Sequence, residues 1–187
     1  TLTSARLKAD RYKELVANGG VAVGDISSTT DRMDIRALDE LHYHSFVEVL
    51  GFTEENAQRV FGHAVDKHDE FAAQERRGKI LKQSIVPHAP YSVSAALFRL
   101  IDGHVGSATV SVHNQECDDE NLYYVKKEGS VGELLKILGL NDDYFKPSGK
   151  PSLQPYLEWM TPNHTYLLVH NTCSTSEDVR YAHARMP

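Results

Sequence analysis

The sequence predicts an α/β fold in which helices cover a parallel sheet. Short apolar segments of strand length alternate with amphipathic segments of helical length, and near-continuous apolar strands are typical of parallel sheets. The 187 residues are enough for one domain with a core. Two architectures agree with this pattern, an open doubly wound sheet and a segment of a (β/α)8 barrel. A barrel takes about 250 residues, so length alone favours the open sheet.

Five segments have the composition and length of buried strands. Each is a short run rich in branched or aromatic residues, and turn-forming or polar residues interrupt the chain between them. The predicted strands are Val21–Ile26, Tyr43–Leu50, Gln83–Pro87, Ala108–Val112 and Thr165–Val169.

The segments between the strands have helical periodicity and recognisable start and stop signals. Asn18 and the two glycines after it end the first helix, and Thr53 is the expected N-cap of the second. Ser92 or Ser94 caps the third, and Gly129 interrupts the fourth. The predicted helices are 4–18, 53–74, a segment that ends at Leu100, 118–138, 151–160 and 174–184.

Composition excludes several classes of function. The net charge of −6 leaves no basic stripe for nucleic acid, and the pair Arg76-Arg77 is interpreted as a solvated loop. No apolar run approaches the roughly 20 residues of a membrane helix, and no signal-peptide pattern opens the sequence. The two cysteines, Cys117 and Cys173, form no C-x-x-C pair. We therefore expect a cytoplasmic protein with no nucleic-acid partner and no membrane association.

Charged or histidine residues lie near the end of every predicted strand. They are Asp25, Glu48, His88, His113 and His170, in chain order. Ligands bind at the carboxyl ends of parallel strands in both candidate architectures. Three successive strands that end in histidine therefore indicate a shared site.

The segment from His113 to Glu116 suits a hydrolytic metal centre. A neutral imidazole binds zinc, and a nearby carboxylate can move a proton between the metal's water and a leaving group. Taken alone, H-x-x-E also fits a strand end followed by an acidic helix. His170 and His88 have similar ordinary alternatives, a buried histidine and a proline-bracketed turn. The pair His42 and His44 opens its strand, which places it at the opposite face from the other candidates.

Four segments together resemble the amidohydrolase superfamily, in the branch of cytosine deaminases, chlorohydrolases and S-adenosylhomocysteine deaminases. They are Pro-His-Ala-Pro-Tyr-Ser at 87–92, Ser-Val-His-Asn-Gln-Glu at 111–116, Leu-Val-His-Asn-Thr at 168–172 and Val-Ala-Val-Gly-Asp-Ile-Ser at 21–27. The resemblance covers nearly the whole chain. It implies a (β/α)8 barrel with one divalent metal ion, with zinc expected and iron as the alternative.

The resemblance also implies a role for each candidate residue. His113 is the metal ligand of the fifth barrel strand, and Glu116 is the proton-shuttling carboxylate beside it. His170, at the end of the sixth strand, contacts the metal-bound water. His88, at the end of the fourth strand, contacts the substrate.

Two features of the family are absent from their expected places. The family carries an H-x-H pair on its first strand and an aspartate on its eighth. We therefore expect residues 1–187 to form a single partial barrel domain that lacks the first, seventh and eighth strands. Such a piece of a longer enzyme is expected to lack turnover, and its metal is expected to be lost with the missing ligands.

The leading hypothesis is an amidohydrolase that uses a metal-bound hydroxide to hydrolyse a C–N bond, by deamination, of a small nucleobase- or nucleoside-like substrate. The alternative is a non-catalytic five-stranded α/β ligand-binding module, and strand order discriminates between the two. A metal-dependent phosphoesterase would need basic residues at the strand ends, where none occurs. Oligomeric state is left open, with a homo-oligomer as one outcome.

Overall fold

A computed structural model describes residues 2–31, 33–38, 40–74, 80–104 and 108–186, with side chains from residue 6 onward. The basic loop predicted at Arg76-Arg77 lies outside these residues. The described strands are β1 (Ala22–Ser27), β2 (His42–Val49), β3 (Leu81–Pro87), β4 (Thr109–Asn114) and β5 (Thr165–His170). The described helices are α1 (Leu2–Ala17), α2 (Met33–Arg36), α3 (Ala57–Ala72), α4 (Ala95–Asp102), α5 (Asp118–Lys126), α6 (Ser130–Ile137), α7 (Leu153–Leu157) and α8 (Ser176–Arg185).

The five predicted strands are all present, with boundaries shifted by one or two residues. Gly129 separates α5 from α6 as expected, because its φ of +86° is in the left-handed region. A side chain there would also come within 3.2 Å of the Cα of Asp119. The helix predicted at 151–160 is shorter than expected, and the single turn α2 was not predicted.

The strands follow one another in sequential order. One sheet has the order β1-β2-β3, and a second pairs β4 with β5; the pairs β1–β2 and β4–β5 are parallel. The backbone N–H of His113 on β4 donates to the carbonyl of His88, the residue after β3, at 2.9 Å. Among the described strands there is therefore no reversal of order of the kind that defines a doubly wound sheet.

The chain divides into two compact units, Thr1–Glu48 with Gly62–Ile85 and Val49–Phe61 with Val86–Pro187. The first unit has a core of Tyr12, Leu41 and Tyr43 between α1 and its strands.

The first unit also contains a buried cation that the sequence did not indicate. Arg36 on α2 is only 2% exposed; it donates to the carbonyls of Phe71 and Lys82, each at 3.3 Å, and stacks over the Phe71 ring. Burial lowers the pKa of Arg36, and Asp25 partly offsets that effect. Asp25 lies within β1, near its end, as expected.

The second unit has its own core. A cluster of Tyr123, Tyr124, Val131 and Leu135 joins α5 to α6. The Ser94 hydroxyl caps α4 by accepting from the Leu97 N–H, as one of the two predicted caps. No helix in the described part of the chain has both the length and the apolar character needed to cross a membrane.

Candidate active site

Three histidines meet at the strand ends of the second unit. His88 follows β3, His113 is the penultimate residue of β4, and His170 is the last residue of β5. The parallel register places His113 opposite Val169 and Asn114 opposite His170. Adjacent strands in this register carry the two imidazoles to the same edge of the sheet.

The rings of these histidines are in direct contact. The centroids of His88 and His113 are 5.2 Å apart, and those of His113 and His170 are 5.0 Å apart. His113 Nδ1 lies 3.1 Å from His170 Nε2, within hydrogen-bonding distance. A ring nitrogen of His88 lies within 4.8 Å of one of His113. The structure thus brings together all three histidines that the sequence placed at one edge.

The orientation of His88 is fixed by the turn that follows it. His88 Nδ1 lies 2.7 Å from Ser92 Oγ, and that hydroxyl donates to the carbonyl of Ala89 at 3.1 Å. Because the hydroxyl has one proton, Nδ1 of the neutral ring is assigned as the donor to Ser92. The lone pair of His88 is then on Nε2, the tautomer required for a metal ligand or a hydrogen-bond acceptor.

Glu116 lies beside His170. Its Oε2 is 3.7 Å from His170 Nε2, and its side chain is 56% exposed, against 32% for His170. The sequence associated this carboxylate with His113, three residues earlier, whereas in the structure it lies beside the imidazole of His170 on the next strand. A half-exposed carboxylate next to an imidazole can exchange protons with both the ring and water.

The turn after β4 is held by a buried carboxylate. Glu120 on α5 is 1% exposed and accepts from the N–H groups of Gln115 and Glu116 at 3.0 and 3.3 Å. It also accepts from the Ser152 hydroxyl at 2.5 Å. Burial raises the pKa of Glu120, and these three hydrogen bonds oppose that rise.

The turn after β5 has an unusual backbone. His170 and Asn171 are consecutive non-glycine residues with φ of +75° and +55°. Asn114 holds this turn from β4: its carbonyl accepts from the Asn171 N–H at 3.0 Å, and its amide donates to Asn171 Oδ1 at 2.8 Å. The Thr172 hydroxyl donates to the carbonyls of Gln115 and Glu116. Left-handed residues of this kind persist where surrounding bonds enforce them, and they cluster at functional sites.

The donors at this edge fit a transition metal better than a hard cation. Two or three imidazole nitrogens suit zinc or iron, whereas magnesium and calcium prefer oxygen ligands. His113 is the predicted ligand, and the ring contacts make His88 and His170 further candidates. A zinc ion is normally held by three or four protein ligands. A complete site would therefore need ligands in addition to these histidines.

The remaining strand-end candidates lie in the first unit. Asp25 lies within β1 and Glu48 near the end of β2. His42 Nδ1 accepts from the N–H of Ile80 at 2.9 Å, and His44 Nε2 lies 2.9 Å from Ser84 Oγ. These two histidines therefore have structural partners on β3 or next to it.

Sequence reasoning missed Ser92, Glu120 and Ser152 as residues of the site. Glu120 belongs to an acidic run that the sequence suggested was only a helix start. Its burial would have been visible only from the fold. Ser152 is 32 residues away along the chain, and no local pattern connects it to β4.

The chain is similar in structure to aminofutalosine deaminase from Helicobacter pylori. The match has a TM-score of 0.69 at 19% identity and covers 88% of this chain and 40% of that one. The same deaminase in complex with methylthio-coformycin matches with a TM-score of 0.64, also at 19% identity, over 88% of this chain and 39% of that one. The chain thus spans about two fifths of the length of these neighbours.

No family model matches the sequence. No curated protein matches it either. The structural neighbours confirm the predicted resemblance at the level of the fold. At 19% identity the likeness concerns the fold: the chain shares the α/β fold, with parallel strands, of part of that deaminase.

Proposed function

We propose that the chain forms strands two to six of a metal-dependent amidohydrolase barrel that deaminates a small nucleobase- or nucleoside-like compound. The observation that carries the proposal is the meeting of His88, His113 and His170 at the ends of successive strands, with Glu116 3.7 Å from His170. The sequential strand order supports the barrel over the non-catalytic five-stranded module.

His113 would hold the metal ion, with a ring nitrogen of His88 within 4.8 Å of one of its own and His170 Nε2 3.1 Å from its Nδ1. A divalent ion in such a site acts as a Lewis acid and makes hydroxide available near neutral pH. The ligands missing from this set would come from the first and eighth strands of the barrel. The contacts of His113 with the rings of His88 and His170 support this assignment.

Glu116 is the group that transfers the proton in this proposal. Deamination forms a C–O bond and breaks a C–N bond, so a proton must move from the attacking water to the departing amine. Glu116 accepts the first proton and delivers it to the amine, which leaves as ammonia. His170, between Glu116 and His113, orients the water. Nε2 of His88 accepts a hydrogen bond from the substrate or binds the ion.

The substrate class is supported by the neighbour. The aminofutalosine deaminase of H. pylori binds methylthio-coformycin, a small molecule. We propose a small heteroaromatic amine as the substrate, and a small-molecule partner in place of nucleic acid.

The decisive experiment is Glu116→Gln in the natural full-length protein. Ammonia release would be measured with a panel of amino-substituted purines, pyrimidines and nucleosides, together with bound zinc and iron. We expect kcat to fall by about 10²- to 10⁴-fold, because the proton carrier is lost, while the metal content stays unchanged. Glu133→Gln is the matched control, since Glu133 is an exposed carboxylate on α6.

Full activity in the Glu116→Gln protein would end the assignment of Glu116. Wild-type protein that holds no transition metal and releases no ammonia from any member of the panel would end the proposed function.

A further inference from the structure

We propose that Glu120 is a positioning residue for Glu116, and that it sets where the proton-shuttling carboxylate lies. The inference rests on the proposed function for its catalytic consequence. Its structural basis is the pair of hydrogen bonds from the turn between β4 and α5 to Glu120. The hydrogen bonds of Glu120 go to two backbone amides of this turn and to the Ser152 hydroxyl, so its effect on Glu116 would pass through the backbone.

The two oxygens of Glu120 serve different donors. Oε1 accepts from the N–H of Gln115 at 3.0 Å and from the Ser152 hydroxyl at 2.5 Å. Oε2 accepts from the N–H of Glu116 at 3.3 Å. One carboxylate therefore binds both amides of the turn that carries Glu116. Hydrogen bonds to an ionised acceptor are about twice as strong as those between neutral groups.

The turn needs this support because its backbone is unfavourable for its sequence. Gln115 has a φ of +46° and is fully buried. The left-handed conformation is unfavourable for a non-glycine residue, because its Cβ comes too close to the following carbonyl oxygen. Buried N–H groups without an acceptor would add a further penalty. Glycine at position 115 would adopt this conformation without strain. With glutamine there, the hydrogen bond from its N–H to the Glu120 carboxylate stabilises the turn.

Glu120 is itself fixed from a distant part of the chain. Ser152 precedes α7 and is fully buried, and its N–H donates to Asn121 Oδ1 at 3.2 Å. The Ser152 hydroxyl then donates to Glu120. The position of the β4 turn is thus tied to α7, the helix that precedes β5. This link ties the turn that carries Glu116 to the segment before α7.

The separation of Glu116 from His170 is sensitive to this turn. Oε2 of Glu116 lies 3.7 Å from His170 Nε2, so a shift of about 1 Å would change which atoms it can reach. Misplacements of that size far from the chemistry can cost about 10²-fold in rate. A merely structural carboxylate would instead affect only the stability of the fold.

The experiment compares Glu120→Gln with Asp119→Asn. Asp119 is the adjacent residue on α5, and its carboxylate also accepts from a backbone N–H and a serine hydroxyl, those of Ser130. The two substitutions remove similar bonds from one helix, but only Glu120 binds the β4 turn. Amide hydrogen exchange of Gln115 and Glu116 would be measured by NMR on the 187-residue chain.

We expect Glu120→Gln to accelerate exchange by at least about tenfold, relative to the core amides of β4, at whichever of the two amides faces the new NH2 group, because that buried amide loses its acceptor. Asp119→Asn should leave both amides unchanged relative to the same core amides. Unchanged protection of Gln115 and Glu116 in Glu120→Gln would overturn the inference. If Glu120→Gln does not fold, Ser152→Ala replaces it. Ser152→Ala removes the hydrogen bond that fixes the Glu120 carboxylate. The carboxylate can then move away from the amides of Gln115 and Glu116, so exchange at these two amides must still rise.

The catalytic part is tested by kinetics of the full-length protein. We expect Glu120→Gln to lower kcat by about 10- to 100-fold with KM and metal content unchanged, and to alter the pH profile of kcat. Asp119→Asn should leave the pH profile unaltered. An unaltered profile and kcat in Glu120→Gln would overturn the role. Wild-type protein without turnover would count against the proposed function alone, because the exchange result is independent of activity.

Discussion

The turn after β3 shows how a single hydroxyl can prepare a histidine for binding. Ser92 accepts from His88 and from the N–H of Ala89 while donating to the Ala89 carbonyl. Such a partner on the second ring nitrogen fixes the tautomer and the orientation of a ligand histidine. The prolines at 87 and 90 stiffen the same turn.

Ser92→Ala in the full-length protein is therefore expected to weaken zinc binding by about 10- to 100-fold, because the His88 ring loses its fixed orientation. Zinc affinity would be measured by competition with a chromophoric chelator. Ser94→Ala is the matched control, since Ser94 caps α4 and its loss costs about 1 kcal/mol of stability. Equal zinc affinity in the Ser92 and Ser94 variants would remove His88 from the metal site.

Histidines and their supporting residues differ in how far sequence can predict them. His88, His113 and His170 could be placed together from sequence because parallel strands bring their carboxyl ends to one edge. Glu120 and Ser92 could not, because their roles depend on which backbone amides face them. The sequence places Glu116 just after β4, but its proximity to His170 depends on the left-handed residues that follow β4 and end β5.

At the scale of elements, the end of β5 stores backbone strain. Asn171 has a φ of +55°, and its side chain accepts from Asn114 and donates to the Leu168 carbonyl. Asparagine tolerates this conformation better than alanine, since its short polar side chain can bond locally.

The strain is measurable by comparing Asn171→Gly with Asn171→Ala. Both variants lose the same side-chain hydrogen bonds, but only alanine must adopt a left-handed conformation with a β-carbon. We expect the alanine variant to be less stable than the glycine variant by about 1 kcal/mol, as measured by urea denaturation. Equal free energies of unfolding would indicate that the backbone relaxes at this turn.

The pairing of β2 with β3 in the first unit contains a pH-sensitive residue. His44 Nε2 lies 2.9 Å from Ser84 Oγ, and the ring stacks on Phe46 at 4.4 Å. Burial lowers the pKa of His44 below its ordinary value of 6.5, with further lowering by Lys82 and Arg36. The unfolded chain therefore binds a proton at this residue more readily than the folded chain.

It follows that the contribution of His44 to stability is present above pH 6.5 and is lost as pH falls below that value. We expect the free energy of unfolding to decrease between about pH 7.5 and about pH 5.5, and to decrease less in His44→Gln. His63→Gln, at an exposed site on α3, is the control. An equal decrease in the free energy of unfolding in His44→Gln and in the wild-type protein would show that other groups cause the decrease.

At the scale of the whole molecule, the order of elements was predictable and the architecture only in part. Apolar runs located all five described strands, most directly β2 and β4, which are largely buried. The single turn of α2 was not predicted because its stability depends on the buried Arg36, whose partners Phe71 and Lys82 are distant in sequence. Choosing between a barrel segment and a doubly wound sheet required strand order, which depends on long-range pairing.

The last strand exposes features that favour association between chains. In the described residues β5 pairs with β4 alone, so its other edge has no neighbouring strand. Leu167 on β5 is 44% exposed and Val179 on α8 is 63% exposed. Next to them is a cavity of about 460 Å³ between β5 and α8, whose lining includes Tyr166 and Leu168. An exposed apolar edge strand is a template for pairing with another chain.

We therefore expect the 187-residue chain to self-associate with increasing concentration, and Leu167→Lys to reduce that association. A lysine on the edge strand places a charge where a second chain would have to bury it. Sedimentation velocity at increasing protein concentration measures the effect. Leu122→Lys is the control, because Leu122 is 39% exposed on α5, away from the edge strand. If both lysine variants reduced association equally, net charge rather than the β5 edge would be responsible.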